Sequence, residues 1–292
     1  MPSSPRVVVC GPASWNHLIV LDHLPEPVPH MQFAQRSWHT IGGTSAGKAL
    51  HLVGLGVDVR LWAAVGDDED GARLRERLAG AGVVVEAIAS EQTERHVNLM
   101  AGGGRVSLYV STPSTPSADA VEAAVSAVAA ADLAVIDLSE LGRLVLEAMP
   151  SSRTPLWMDL HDYDGSSSFH EPFLRAAAGV FMNDDGTEDP WGLMASCLDR
   201  GPGLAVCTLG AKGAIALEAD GTRHEVAATP ATVVDTNGAG DAFMAGFLAA
   251  RLREEPIAVA LRAAAEQARS AIETEHLHPV LGRGGPIRAQ NG

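Results

Sequence analysis

Val233-Val234-Asp235-Thr236-Asn237-Gly238-Ala239-Gly240-Asp241-Ala242-Phe243-Met244-Ala245-Gly246-Phe247 is the stretch on which the reading of this chain turns. It reads as a short apolar strand end, a glycine-rich turn and then a helix. Past Gly240 the apolar side chains Phe243, Phe247 and Leu248 recur at helical spacing. The glycines free the backbone, so successive N–H groups converge on one point at the helix start. Those groups have no partner within the helix, and the helix dipole adds partial positive charge. Such a corner takes an anion, most often a phosphate. Asp241 opposes an anion's charge and so must have another task. The task that fits is to take a proton from a hydroxyl attacking a phosphoryl group held beside the N–H groups.

Asp235-Thr-Asn-Gly-Ala-Gly-Asp241 resembles the D-T-x-G-A-G-D signature of the ribokinase-like (PfkB) family of carbohydrate and nucleoside kinases, at all seven positions. The resemblance implies an α/β fold: a three-layer, doubly wound, mostly parallel sheet with a small β lid, in a single domain over 1–292. It implies Asp241 as catalytic base and the N–H groups of Gly238, Ala239 and Gly240 as the hole for the transferring phosphate. ATP and Mg²⁺ follow, with a monovalent cation such as K⁺ beside Asp235.

The resemblance extends to the substrate side. Five residues after Gly11 the family has an aspartate that grips sugar hydroxyls; here the position is Asn16, whose amide bonds hydroxyls without charge. Gly42-Gly43 matches the glycine pair placed close to substrate. Gly47 stands where the family has an asparagine that touches substrate. Segments 94–100 and 105–110 alternate around Gly102-Gly-Gly104 as a hairpin. With segment 14–40 this hairpin, to about residue 112, forms the implied lid. It brings His96, Asn98 and Tyr109 toward substrate, although alternation alone does not say which face each takes.

On the nucleotide side, Asn183 matches the start of the family's N-x-x-E motif, but its glutamate position is Gly186. Asp184, Asp185 or Glu188 is the expected substitute, ordering Mg²⁺ through water. Thr208-Leu-Gly210-Ala-Lys212-Gly213 is similar to the T-x-G-x-x-G segment along the nucleotide, with Lys212 near a phosphate. Gln267, on a long Ala-rich helix over 257–275, is placed beside adenine.

Composition sets the bounds. A 292-residue chain with 46% hydrophobic residues has a sizeable core, and it carries no apolar run long enough to span a membrane. A net charge of −15 disfavours nucleic acid and anionic membranes. Cys10, Cys197 and Cys207 lie in apolar stretches without metal-ligand spacing and read as buried thiols of a reducing cytosol. Arg6–Cys10 begins as a strand with no basic segment before it and no cleavage site after it, which argues against a signal peptide and for a cytoplasmic protein.

Elsewhere the pattern is regular. Strands are expected at 57–64, 83–89, 133–138 and 156–160, and helices open at Thr44 or Ser45 as cap, at 118–131 and at 142–149. Asp67-Asp-Glu-Asp70 reads as an acidic helix start. Asp159-Leu-His161-Asp162-Tyr163-Asp164 follows a strand end and reads as a loop near the phosphates rather than a dedicated metal site. Gly42–Lys48 is no P-loop, because Lys48 lacks a following Ser or Thr. No Gly-x-Gly-x-x-Gly fingerprint opens a βα unit, which counts against an NAD oxidoreductase. The expectation is ATP-dependent phosphorylation of a hydroxyl on a small sugar or sugar derivative. An adenosine-type nucleoside kinase and a non-catalytic sugar-binding regulator remain as alternatives, and the oligomeric state stays open, a homodimer through the lid being one option.

Overall fold

The computed structural model describes residues 5–102, 104–149 and 152–284. The chain runs β1 (Arg6–Cys10), β2 (Ser14–Val20), β3 (Arg36–Gly42), α1 (Thr44–Gly54), β4 (Asp58–Gly66), α2 (Glu69–Gly80), β5 (Val84–Ser90), β6 (Glu94–Ala101) and β7 (Gly104–Ser111). It continues with α3 (Ala118–Ala129), β8 (Leu133–Ile136), α4 (Glu140–Ala148), β9 (Leu156–Asp159), α5 (Glu171–Ala176), β10 (Gly179–Asn183) and α6 (Pro190–Leu198). Then come β11 (Leu204–Thr208), β12 (Ala214–Glu218), β13 (Arg223–Val226), α7 (Ala239–Leu252) and α8 (Ile257–Ile272).

Nine strands make the main sheet, in the order β13-β12-β11-β10-β9-β8-β1-β4-β5. Strands β5 to β11 in that order pair in parallel, and β12 and β13 turn back antiparallel. The alternation of side chains along β1 separates two cores. Val7 and Val9 join the helices α1, α2, α7 and α8, while Val8 and Cys10 join α3 to α6. This is the three-layer α/β arrangement expected. Helix α7 is buried over every residue from Ala242 to Ala250, since it lies between sheet and α8. A second sheet of β3-β2-β6-β7 stands apart from the first.

Two local expectations are corrected. Val233 and Val234 form no strand; they are 61% and 48% exposed in an irregular segment after β13. Without a neighbouring strand to pair with, two valines do not make one. Helix α1 is capped by neither Thr44 nor Ser45: its N-cap is Gly43, at φ 90°. The two hydroxyls are used elsewhere, as described below. The hairpin turn between β6 and β7 includes Gly103, which lies outside the described residues.

Candidate active site

The carboxyl ends of parallel strands leave a crevice where helices begin, and ligands of open α/β sheets sit there. At that edge β1 runs through Gly11 toward α1, β8 ends before Asp137, β9 ends at Asp159, and α7 starts at Ala239. Three carboxylates and one ammonium meet between them. Lys48 Nζ lies 2.8 Å from Asp241 Oδ1, 3.0 Å from Asp137 Oδ1 and 3.1 Å from Asp159 Oδ2. The Lys48 and Asp137 side chains are fully buried, and Asp241 keeps 12% exposure, so the cluster opens to solvent on the α7 side. Thr44 Oγ1 donates to Asp241 Oδ1, and Ser45 Oγ donates to Asp137 Oδ2 at 2.5 Å. These are the hydroxyls withheld from capping α1.

The electrostatics follow from burial and contact. At such separations and an effective dielectric near 20, each attraction is roughly 5 kcal/mol before desolvation is subtracted. Burial pulls the Lys48 ammonium down, but Asp137, Asp241 and Asp159 outweigh it and hold Lys48 well above its ordinary value. Burial pushes Asp159 up, yet His161 and Lys48 bring it below the usual carboxylate range. Asp241 ends above that range: burial raises it, Lys48 opposes, and the Asp159 charge adds to the rise. A carboxylate with a raised value is a better proton acceptor.

Gly47 sits against this carboxylate. A methyl group on Gly47 would lie 2.7 Å from Asp241 Oδ2 and 3.1 Å from its Cβ. The position that resembled a substrate contact is therefore filled by the approach of Asp241, and any side chain there would collide with the carboxylate.

The loop before α7 is built as an anion corner. Gly238 is the N-cap in the left-handed region, at φ 80°, and no described side chain caps the helix. Asp235 Oδ1 accepts from the Asn237 N–H at 2.9 Å, which folds the turn. The Ala239 N–H points back to the Thr236 carbonyl at 3.3 Å. Gly240 faces open space.

The small sheet covers this corner with one face. Residues aligned across paired strands share a face. Asn16 aligns with His96, Leu18 with Asn98, His96 with Tyr109 and Met100 with Arg105. Arg105 on that face donates to Asn237 Oδ1 at 2.8 Å, which turns the Asn16 face toward the anion corner. Asn16 is buried, accepts from Ser14 Oγ at 2.8 Å and lies beside Gly42. His96 pairs with Glu94 at 2.8 Å and its ring sits 3.9 Å from Tyr109, which is 66% exposed; Asn98 is buried.

The nucleotide-side residues gather at the same sheet edge. Asn183 ends β10 in register with Thr208 at the end of β11. Asn183 Oδ1 accepts from the Asp185 N–H at 3.0 Å, and the Asp184 N–H donates to the Thr208 carbonyl at 3.2 Å. Gly210–Lys212 is one 3₁₀ turn with Lys212 exposed, and Gly213 follows at φ 100°. Gly186 is glycine for a reason: a side chain there would meet the Asp162 and Tyr163 carbonyls, each at 2.6 Å. Among the described residues, no group of three His, Cys, Asp or Glu side chains converges to hold a metal. Asp185 and Glu188 are exposed and Asp184 is half-buried. Gln267 has a different neighbour from the one expected. Its Nε2 donates to His51 Nδ1 at 2.7 Å, so its amide is engaged between α1 and α8.

Lys48, Asp137, Thr44 and Arg105 went unassigned in the sequence. The available signal was a lysine inside an apolar helix, since Ala46, Ala49, Leu50 and Leu52 flank Lys48. A buried lysine needs carboxylates.

Residues 5–278 match the family model described as pfkB family carbohydrate kinase. An acarbose 7(IV)-phosphotransferase of Actinoplanes sp. is 30% identical over 263 residues, 88% of each chain. A nucleoside kinase of Methanothermobacter thermautotrophicus is 29% identical over 302 residues, covering 92% of this chain and 90% of that one. Among solved structures, a microbiome-derived acarbose kinase superposes with a TM-score of 0.82 at 26% identity, over 93% of this chain and 94% of its own. This chain belongs to the pfkB family of carbohydrate kinases.

Proposed function

We propose that the chain transfers the γ-phosphoryl group of ATP to a hydroxyl of a small sugar or sugar derivative. Asp241 is the base, and the corner over residues 238–241 is the anion hole. The observation that carries this reading is the placement of Asp241 one step past Gly240, at an uncapped helix start, with Oδ1 tied down and Oδ2 beside Gly47. Asp241 takes the acceptor's proton as the acceptor oxygen bonds to phosphorus. The bond to the bridging oxygen of ATP breaks, and its electron pair leaves on ADP. The N–H groups of Gly238, Ala239 and Gly240 receive the charge that develops, for which Ala239 gives up its long bond to Thr236.

Asn183, Thr208, Gly210, Lys212 and Gly213 form the nucleotide edge of this reading. Mg²⁺ would neutralise phosphate charge there, held mainly by phosphates and water, with Asp184, Asp185 or Glu188 in reach. Asp235 is the candidate for a K⁺ that orders the hole. On the acceptor side the reading places Asn16, Gly42, Gly43, His96, Asn98 and Tyr109 around the sugar. The chain then works as one kinase unit, with segments 14–40 and 94–112 as a lid that excludes water.

Val106 and Leu108 project from the lid's other face, 40% and 49% exposed, which supports pairing of two copies through the lid. Among the described residues no helix is long and apolar enough to cross a membrane, in keeping with a cytoplasmic enzyme.

The nucleoside kinase among the relatives supports an alternative acceptor, and the acarbose phosphotransferase supports the sugar. The deciding experiment is ADP release from Mg·ATP across pentoses, hexoses, amino sugars, acarbose and nucleosides, with and without K⁺. Turnover on a carbohydrate is expected. Turnover on nucleosides alone moves the acceptor class, and no turnover on any of them favours the non-catalytic regulator.

A further inference from the structure

We propose that Lys48 is a positioning residue for Asp241: its ammonium pins Oδ1 while the bare Gly47 leaves Oδ2 as the oxygen presented to the acceptor hydroxyl. This rests on Asp241 being the base. A carboxylate at a helix start can rotate about its side-chain bonds and offer either oxygen. Here Oδ1 takes two donors, Thr44 Oγ1 and Lys48 Nζ, and Oδ2 faces the α1 backbone at Gly47. The neighbouring residues 47 and 48 thus act on the two oxygens of one carboxylate.

Two further carboxylates complete the device. A lysine paired with Asp241 alone would lose its partner when the base takes a proton. Asp137 at 3.0 Å and Asp159 at 3.1 Å keep Lys48 charged through that step. Ser45 fixes Asp137, and the His161 backbone N–H fixes Asp159 at 3.0 Å. The charged and titratable groups facing Asp241 are therefore Lys48 from α1, Asp137 after β8 and Asp159 from β9, with His161 Nδ1 3.6 Å from Asp159. The acceptor's proton goes to Oδ2, and Lys48 gains and loses none.

The test reads Asp241 directly. Protein carrying ¹³Cγ-labelled aspartate is titrated without ligands, and the Asp241 resonance is assigned by its loss in Asp241→Asn. In Lys48→Met the Asp241 midpoint is expected to move to higher pH, because a positive charge has gone; in Asp159→Asn it moves to lower pH, because a negative charge has gone. Turnover of Mg·ATP with acarbose and with ribose is measured beside it. Lys48→Met is expected to lose about 10²-fold in kcat with little change in the acceptor KM, the scale for a misplaced base.

A folded Lys48→Met protein with an unmoved Asp241 midpoint and undiminished kcat overturns the proposal. If Lys48→Met does not fold, Asp159→Asn decides: a midpoint moved down supports the proposal and an unmoved one overturns it. Undiminished turnover in Asp241→Asn instead overturns the kinase mechanism itself, whichever way Lys48 behaves.

Discussion

The charged cluster around Asp241 and the edge formed by Asn183 and Thr208 occupy the same rim of the same sheet, yet they are built differently. Around Asp241, four charged side chains from α1, the residue after β8, β9 and α7 interlock with little or no exposure. Around Asn183 and Thr208, the bonds run from backbone N–H groups to the Asn183 side chain and the Thr208 carbonyl, and Asp185, Glu188 and Lys212 stand in solvent. The first region is organised by folding itself, because a buried lysine with three carboxylates is tolerable only when every partner is in place. The second leaves its polar groups for phosphate, water and metal to organise. Under the proposed mechanism, preorganisation is concentrated where the proton would move, and the phosphate side is left to its ligand.

The comparison can be broken by substitution. The largest expected effect is Asp241→Asn, which should lower kcat by about 10²–10⁴-fold with acceptor binding kept, the range for losing a general base. Steady-state kinetics with isothermal titration of the acceptor checks it. Gly47→Ala should come next. A methyl group favours a helix by up to about 1 kcal/mol over glycine, so thermal stability should hold or rise if the site merely needs a helix. The contact with Oδ2 predicts the reverse, a lower melting temperature together with about tenfold or greater loss in kcat.

A third test concerns the segment that backs the anion corner. His51 donates from Nε2 to the Leu277 carbonyl at 2.7 Å, and Leu277 packs under Gly238. Burial, with His278 adding and the Leu277 bond opposing, lowers His51 from 6.5 to about 3. The unfolded chain therefore binds a proton below pH 6.5 that the folded one refuses until about pH 3. Stability should fall as pH drops through that window, and His51→Asn should flatten the slope in denaturant titrations. The smallest effect belongs to the open edge. Lys212→Ala should raise the KM for ATP a few fold, by roughly 1 kcal/mol or less, with kcat and melting temperature unmoved. A large loss of kcat there would erase the contrast between the two regions.

Much of this was legible beforehand. The βα alternation announced the layers, and Asp235–Asp241 announced a glycine-rich helix start with a carboxylate beside it, because both are written in contiguous residues. The alternating β6–β7 hairpin was legible too, but its facing became known only from the register with β2 and from Arg105 on Asn237. Gly186 looked like a missing glutamate; the neighbouring 162–163 backbone leaves no room for one. The partner of Gln267 was not legible, because helical periodicity gives a face and only packing shows that its amide meets His51.

The sequence by itself determined the layered α/β fold, the glycine-rich helix start and the carboxylate beside it, since each depends on neighbours within a few residues. The tertiary structure alone decided that Lys48, Asp137 and Asp159 surround that carboxylate and that Gly47 makes way for it. Lys48 and Asp241 alone are 193 positions apart along the chain. Their meeting is set by strand order and helix packing, which bring distant charges within 3.1 Å and oblige them to share one buried proton balance.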